Sequence, residues 1–158
     1  GDVKHYGEHN LGAERSDPYQ AKGKYREPTQ CSDCGAVFHR GRWAWGTAGA
    51  DAEKSLCPAC RRIRDKLPAG TVELRGPFSV EHRQDLVRLV RNEAEREGKE
   101  HPLHRLMRVE AGSDRVDITT TDIHLPRRIG EALKRAYDGE LDIKHGADEY
   151  TVRVHWYR

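Results

Sequence analysis

The sequence predicts an α+β fold in two parts, a small four-cysteine module ahead of a larger domain of strands and helices. Three observations point there. The cysteines fall in two Cys-x-x-Cys pairs separated by 22 residues. Downstream, stretches of period-two alternation and stretches of helical periodicity follow one another in the order β-α-β-β-α-β-β. The chain has 158 residues, of which 35% are hydrophobic and 34% charged, enough for one ordinary core plus an appendage but hardly for two large domains.

Residues 1–28 are polar and nearly free of aliphatic side chains, and they read as a disordered arm. Order is expected to resume near residue 29 in a cysteine module that ends at the Pro68-Ala69-Gly70 breaker, giving boundaries of 29–70 for the module and 71–158 for the α+β domain. Thr71–Arg75 alternates as a strand would. Ser79 is the expected N-cap of a helix reaching Glu97, with Leu86, Val87, Leu89, Val90 and Ala94 on its apolar face and Gly98 as its stop. His104–Glu110 and Arg115–Thr120 form a hairpin, with Leu106, Val109, Val116 and Ile118 turned inward. Asp122 caps a second helix from Leu125 to Tyr137, which carries Pro126 in its first turn and buries Ile129, Leu133 and either Ala136 or Tyr137. Glu140–Lys144 and Tyr150–Trp156 close the chain as two strands. The first six of these elements match a ferredoxin-like split β-α-β arrangement, β-α-β-β-α-β, with one strand added.

Cys31-Ser-Asp-Cys34 and Cys57-Pro-Ala-Cys60 each present two thiolates to one side of an ion, and four thiolates complete the tetrahedral shell that structural Zn²⁺ prefers. No cysteine is left over. Gly35 suits a sharp turn around the metal, and Pro58 with Arg61–Lys66 indicates a short helix opened by the second pair. A ribbon and a treble-clef layout both fit. Two disulfides or redox thiols are the alternatives. The paired spacing favours zinc, and a full set of four cysteines leaves no open position for catalysis, so its expected role is structural.

The loop between the pairs interleaves cations with indoles. Arg40, Arg42, Trp43 and Trp45, extended by Arg61 and Arg62, form the candidate nucleic-acid contact set, since guanidinium groups pair with phosphates while flat rings stack on unpaired bases. The alternative is that one Trp covers the metal site and the arginines solvate it. Net charge is only +2, and its excess lies in residues 29–77, with eight cations against five anions. Any nucleic-acid binding therefore depends on a local patch. His101, His104, His124 and Asp122 invite an acid-base reading, but no nucleophile motif or phosphate loop accompanies them, and structural roles are favoured. Arg127 and Arg128 stand where they can reach an anion. Glu93–Glu97 reads as a solvated helix end.

The combination of Cys31-Ser-Asp-Cys-Gly35, Gly41-Arg-Trp43, Cys57-Pro-Ala-Cys-Arg-Arg62, Pro68-Ala-Gly70, Glu100-His-Pro-Leu103, Thr119-Thr-Thr-Asp122 and Arg127-Arg-Ile-Gly130 resembles a family of small, uncharacterised proteobacterial zinc-ribbon proteins. That likeness spans nearly everything after residue 28 and implies no particular activity. More distantly, the cysteine region is similar to the N-terminal zinc region of the archaeal and eukaryotic adaptor that escorts large ribosomal subunits, which implies a contact with the ribosome or its RNA. The present chain is shorter and only mildly basic.

The expectation is therefore a cytoplasmic, zinc-stabilised protein that binds RNA or the ribosome. A protein-interaction adaptor and a DNA-binding zinc-ribbon regulator are the alternatives, and an enzyme is less favoured. No apolar run reaches membrane-spanning length, so no membrane partner is expected.

Overall fold

The computed structural model describes residues 16–21 and 23–158. The portion of the expected arm over 1–15, and residue 22, lies outside the described residues.

Four short strands build the first sheet: β1 (Thr29–Cys31), β2 (Val37–His39), β3 (Arg42–Ala44) and β4 (Glu53–Ser55), in the order β3-β2-β1-β4. β1 to β3 are antiparallel and β4 joins β1 in parallel. The β2–β3 hairpin turns on Arg40 and Gly41, both at positive φ, and the Glu27 carboxylate accepts their two N–H groups at 2.7 and 3.1 Å. Helix α1 (Pro58–Asp65) follows. Cys57 is its N-cap, accepting the Cys60 N–H on its sulfur, and Pro58 occupies the first turn, where its missing N–H costs nothing.

The second sheet has five strands, β5 (Gly70–Arg75), β6 (Leu106–Ala111), β7 (Arg115–Thr120), β8 (Glu140–His145) and β9 (Val152–Tyr157), ordered β6-β7-β5-β9-β8. Helices α2 (Pro77–Glu81), α3 (Arg83–Glu100) and α4 (His124–Tyr137) complete the domain. Every second residue of β5, β7 and β9 is buried, and Val72, Leu74, Val116, Ile118, Val154 and Trp156 meet Leu86, Val90, Ile129 and Leu133 of the helices in one core. The opposite face of the sheet is polar, with Glu73, Arg115, Asp117 and His155 side by side. Of the two residues expected to end the α4 stripe, Tyr137 packs on the core and Ala136 is exposed.

Three expectations change. First, the sheet departs from a ferredoxin-like order in its second half: the strand beside β5 is the last one, β9, running parallel to it, and β8 is pushed to the rim. The side chains explain this, because Val152, Val154 and Trp156 are almost fully buried whereas β8 exposes Glu140, Asp142 and Lys144. The more apolar strand takes the inner position. Second, the helix expected over 79–97 is broken at His82 and extends past Gly98 to Glu100, while Ser79 is buried inside α2 rather than capping it. Tertiary contacts on Glu97 and Gly98, described below, hold the last turn in spite of the glycine.

Third, residues 17–21 and 23–28 are not an unattached arm. Asp17 caps a short 3-10 turn, Pro18–Gln20, and its carboxylate pairs with Arg62 of α1 at 2.7 Å, with both side chains only 6% exposed. Tyr25 is packed edge-on against Trp43 at 4.9 Å between ring centres and donates its hydroxyl to the Leu56 carbonyl. The segment counts as polar only by average composition; its two tyrosines and one aspartate have specific places to go.

Candidate metal centre

The turn after β1 and the start of α1 bring the four cysteines together. Cys31 ends β1, and Gly35 at φ +85° lets the chain reverse without a Cβ clash, so that Cys34 faces the same point. Cys57 and Cys60 approach from the first turn of α1. One sulfur from each lies within 4.8 Å of the other three, with Cys31–Cys60 at 3.6 Å and Cys34–Cys57 at 3.8 Å. A tetrahedron with metal–sulfur bonds of about 2.3 Å has edges of about 3.8 Å, and a disulfide would need about 2.05 Å. The observed spacing fits an ion and not a cystine; none of the four is paired as a disulfide.

The sulfurs are supported by donors. The N–H groups of Asp33, Cys34 and Cys57 point at Cys31 Sγ at 3.3–3.5 Å, and that of Cys60 at Cys57 Sγ at 3.4 Å. Arg105, from the segment between α3 and β6, brings its guanidinium to 2.9 Å from Cys60 Sγ and 3.7 Å from Cys57 Sγ. Burial works against the Arg105 charge, but the contact with Cys60 outweighs it and raises the guanidinium above its ordinary range. Within the quartet, the hydrogen bond from Cys57 pulls the Cys34 thiol down to about 5 against the opposing effect of burial. The same bond, with burial, pushes Cys57 up. A cluster that holds negative charge beside a buried cation is suited to a divalent ion. Arg105 was invisible as part of this centre in the sequence, being 45 residues from Cys60 and in the other domain.

Of the six candidate nucleic-acid contacts, three are engaged within the protein. Trp43 is only 7% exposed and packs among Tyr25, Phe38 and the cysteines, which is the covering role weighed as the alternative. Arg62 is spent on Asp17, on the Leu67 carbonyl and on the face of Tyr19, 4.3 Å away. Arg61 donates to the Tyr25 hydroxyl and to Ser55 Oγ. The other three meet at one place. Arg40, Arg42 and Trp45, with His39, line an open cleft of about 430 Å³ along the β2–β3 hairpin. Trp45 is 43% exposed and donates its indole N–H to the Gly98 carbonyl at 2.6 Å, tying the cysteine module to the end of α3.

The histidines also converge. His104 Nδ1 is 2.7 Å from Glu97 Oε2 and its ring stacks on His101 with centres 4.6 Å apart, while His124 lies 5.1 Å away on the other side. Asp122 accepts the N–H groups of His124 and Leu125 at 2.7 and 3.0 Å, which is the helix-capping role expected of it. Arg128 reaches an anion within the chain, Glu97, at 3.0 Å. Glu93 and Glu97 are buried, so the solvated helix end expected there is overturned: Arg96 and Arg128 pull them onto the protein. The Glu97/His101 spacing of four residues was the available signal. Thr121 fixes the segment carrying His104, accepting the Arg105 N–H and donating to the Leu103 carbonyl.

Fold and site together define a mixed α+β protein with a four-cysteine centre at metal-binding distance. Comparison of the chain with protein-family models, curated proteins and solved structures returns no match. No helix among the described residues is long and apolar enough to cross a membrane.

Proposed function

We propose that the chain is a zinc-stabilised protein that binds single-stranded RNA, free or within the ribosome, through the cleft on the β2–β3 hairpin. Cys31, Cys34, Cys57 and Cys60 hold the ion, and Arg105 offsets the charge of the thiolates behind it. When bound, zinc supplies folding free energy to a module whose own apolar cluster is small, and it takes no part in chemistry. The distant likeness of the cysteine region to the ribosomal-subunit adaptor implies the same kind of partner.

The cleft carries the reading. Two guanidinium groups, an imidazole and a half-open indole surround a space that admits one base, and no ion pair engages the Arg40 or Arg42 side chain among the described residues. Cations that are left unpaired beside an exposed ring match the chemistry of an unstacked nucleotide, with phosphate on arginine and base on tryptophan.

The test is fluorescence anisotropy with a labelled single-stranded RNA across a salt series. Affinity is expected to fall steeply with salt. The double variant Arg40→Ala/Arg42→Ala is expected to reduce the slope of log affinity against log salt by about 1.4, from about 0.7 per lost phosphate contact. Binding that ignores salt, or that both arginine changes leave intact, defeats this reading; a partner still captured after nuclease treatment supports a protein adaptor instead. Zinc itself is checked by metal analysis and X-ray absorption on protein loaded with one equivalent, with that ion retained and four sulfurs at about 2.3 Å expected.

A further inference from the structure

A second set of metal-type donors gathers where α3 ends. Glu97 lies on the last turn of α3 and His101 follows it by four residues as the C-cap, which places both on one side of the helix. The chain then turns, with the His104 N–H donating to the His101 carbonyl at 3.0 Å, and swings the His104 ring back over Glu97. One donor atom from each of the three lies within 4.8 Å of the others.

The groups behind these three are arranged to orient them. Arg128 engages Glu97 Oε1 at 3.0 Å, leaving Oε2 directed at His104 Nδ1. On the far side of the same ring, His104 Nε2 faces Asp122 Oδ2 across 3.6 Å. A carboxylate behind a ligating imidazole is the arrangement that fixes ring orientation and strengthens the nitrogen as a donor. Asp122 is 2% exposed, and its Oδ1 has no hydrogen-bond partner among the described residues. A buried carboxylate oxygen without a partner is costly, and a cation held by the adjoining ring would offset that cost.

We propose that Glu97, His101 and His104 form a second metal site, for a divalent transition cation of the zinc or cobalt class, open to solvent on the His101 side. Two imidazoles and one carboxylate suit such ions. The site differs in kind from the cysteine quartet, because three protein ligands leave at least one coordination position for an outside molecule. Its exposed ligand also makes it exchangeable, whereas the sulfurs are almost closed off.

The probe is Co²⁺, titrated into the full chain already carrying one equivalent of zinc. A second equivalent is expected to bind with d–d absorption but without the thiolate-to-cobalt charge-transfer band that cysteine coordination produces. His101→Ala removes an exposed ring and leaves the core intact; as a ligand it is expected to cost that equivalent at least the roughly 100-fold that marks the upper end for loss of a supporting group. The same variant should keep the wild-type melting temperature without cobalt and lose the upward shift that cobalt gives. Replacing His5 and His9, the two histidines outside the described residues, by alanine should change neither result. Absence of a second equivalent, undiminished binding in His101→Ala, or loss of binding in the His5/His9 variant would each overturn the proposal. If the cysteines held no ion, the charge-transfer band would report that separately.

Discussion

Asp17→Ala should destabilise the protein by about 3 kcal/mol, although residue 17 sits in a stretch that composition marks as dispensable. The Asp17–Arg62 contact is 2.7 Å long with both side chains 6% exposed. At that distance, and an effective dielectric of about 20, the gross attraction is about 6 kcal/mol. Truncation does not lose all of it, because Arg62 keeps the Leu67 carbonyl at 3.0 Å and the Tyr19 ring at 4.3 Å. Breaking one side of a buried pair leaves the other charge stranded, at about 3–5 kcal/mol, and the remaining partners place this case at the lower end. Replacing both residues, as Asp17→Ala/Arg62→Met, removes the stranded charge and should cost less than Asp17→Ala alone. Urea unfolding with zinc in fixed excess measures the difference, since free metal concentration shifts apparent stability by itself. A loss below about 1 kcal/mol, the value of a solvated surface pair, would refute the reasoning and detach residues 17–28 from the module.

Two further outcomes follow from the same kind of argument. Arg105→Met should weaken metal binding at the cysteines by about 10- to 100-fold in competition with a chromophoric chelator, because the thiolates lose the cation that balances them, while the fold of the five-stranded sheet is retained. Glu73, bonded to Arg75, Arg115 and His155, has its carboxyl held below the ordinary 4.5, with the Arg75 hydrogen bond the largest cause. A lowered folded value means that the unfolded chain binds the proton more tightly, so this stabilisation is present above about pH 4.5 and fades as pH falls through the folded value. Glu73→Gln should therefore lower stability by about 1 kcal/mol at pH 7 and flatten the acid limb of a stability–pH curve; an unchanged limb would place the carboxylate's contribution elsewhere.

What sequence reveals here depends on the range over which a feature is encoded. The cysteine pairs are local, each closed within four residues, and their spacing alone announced a shared centre. The strand and helix periodicities located β5, β7 and α4 to within a residue or so, because alternation and helical stripes record which side meets the core. Arg105 at the sulfurs and Asp17 against Arg62 are contacts across 45 residues each, and nothing in a local pattern encodes them. The basic-aromatic loop misled in a related way. Interleaved Arg and Trp report composition, not facing, so Trp43 and Arg62 looked like contact residues until their burial was known. Glu97 was read as solvated because its neighbours are charged, although its partners, His104 and Arg128, lie beyond its own helix. The final hairpin shows the same limit at the level of topology, where the order of β8 and β9 was settled by which of two adjacent strands had more to hide.

Among the described residues, both rims of the larger sheet end in strands whose backbone groups have a free side. β6 presents Arg108 and Glu110, bonded to each other at 2.9 Å, and β8 presents Glu140, Asp142 and Lys144. To zip onto a second copy, either rim would have to strip water from these charged side chains. The sheet is thereby kept finite at five strands, and a concentrated solution of the protein is guarded against fibrous growth by the same residues that exclude β8 from the interior.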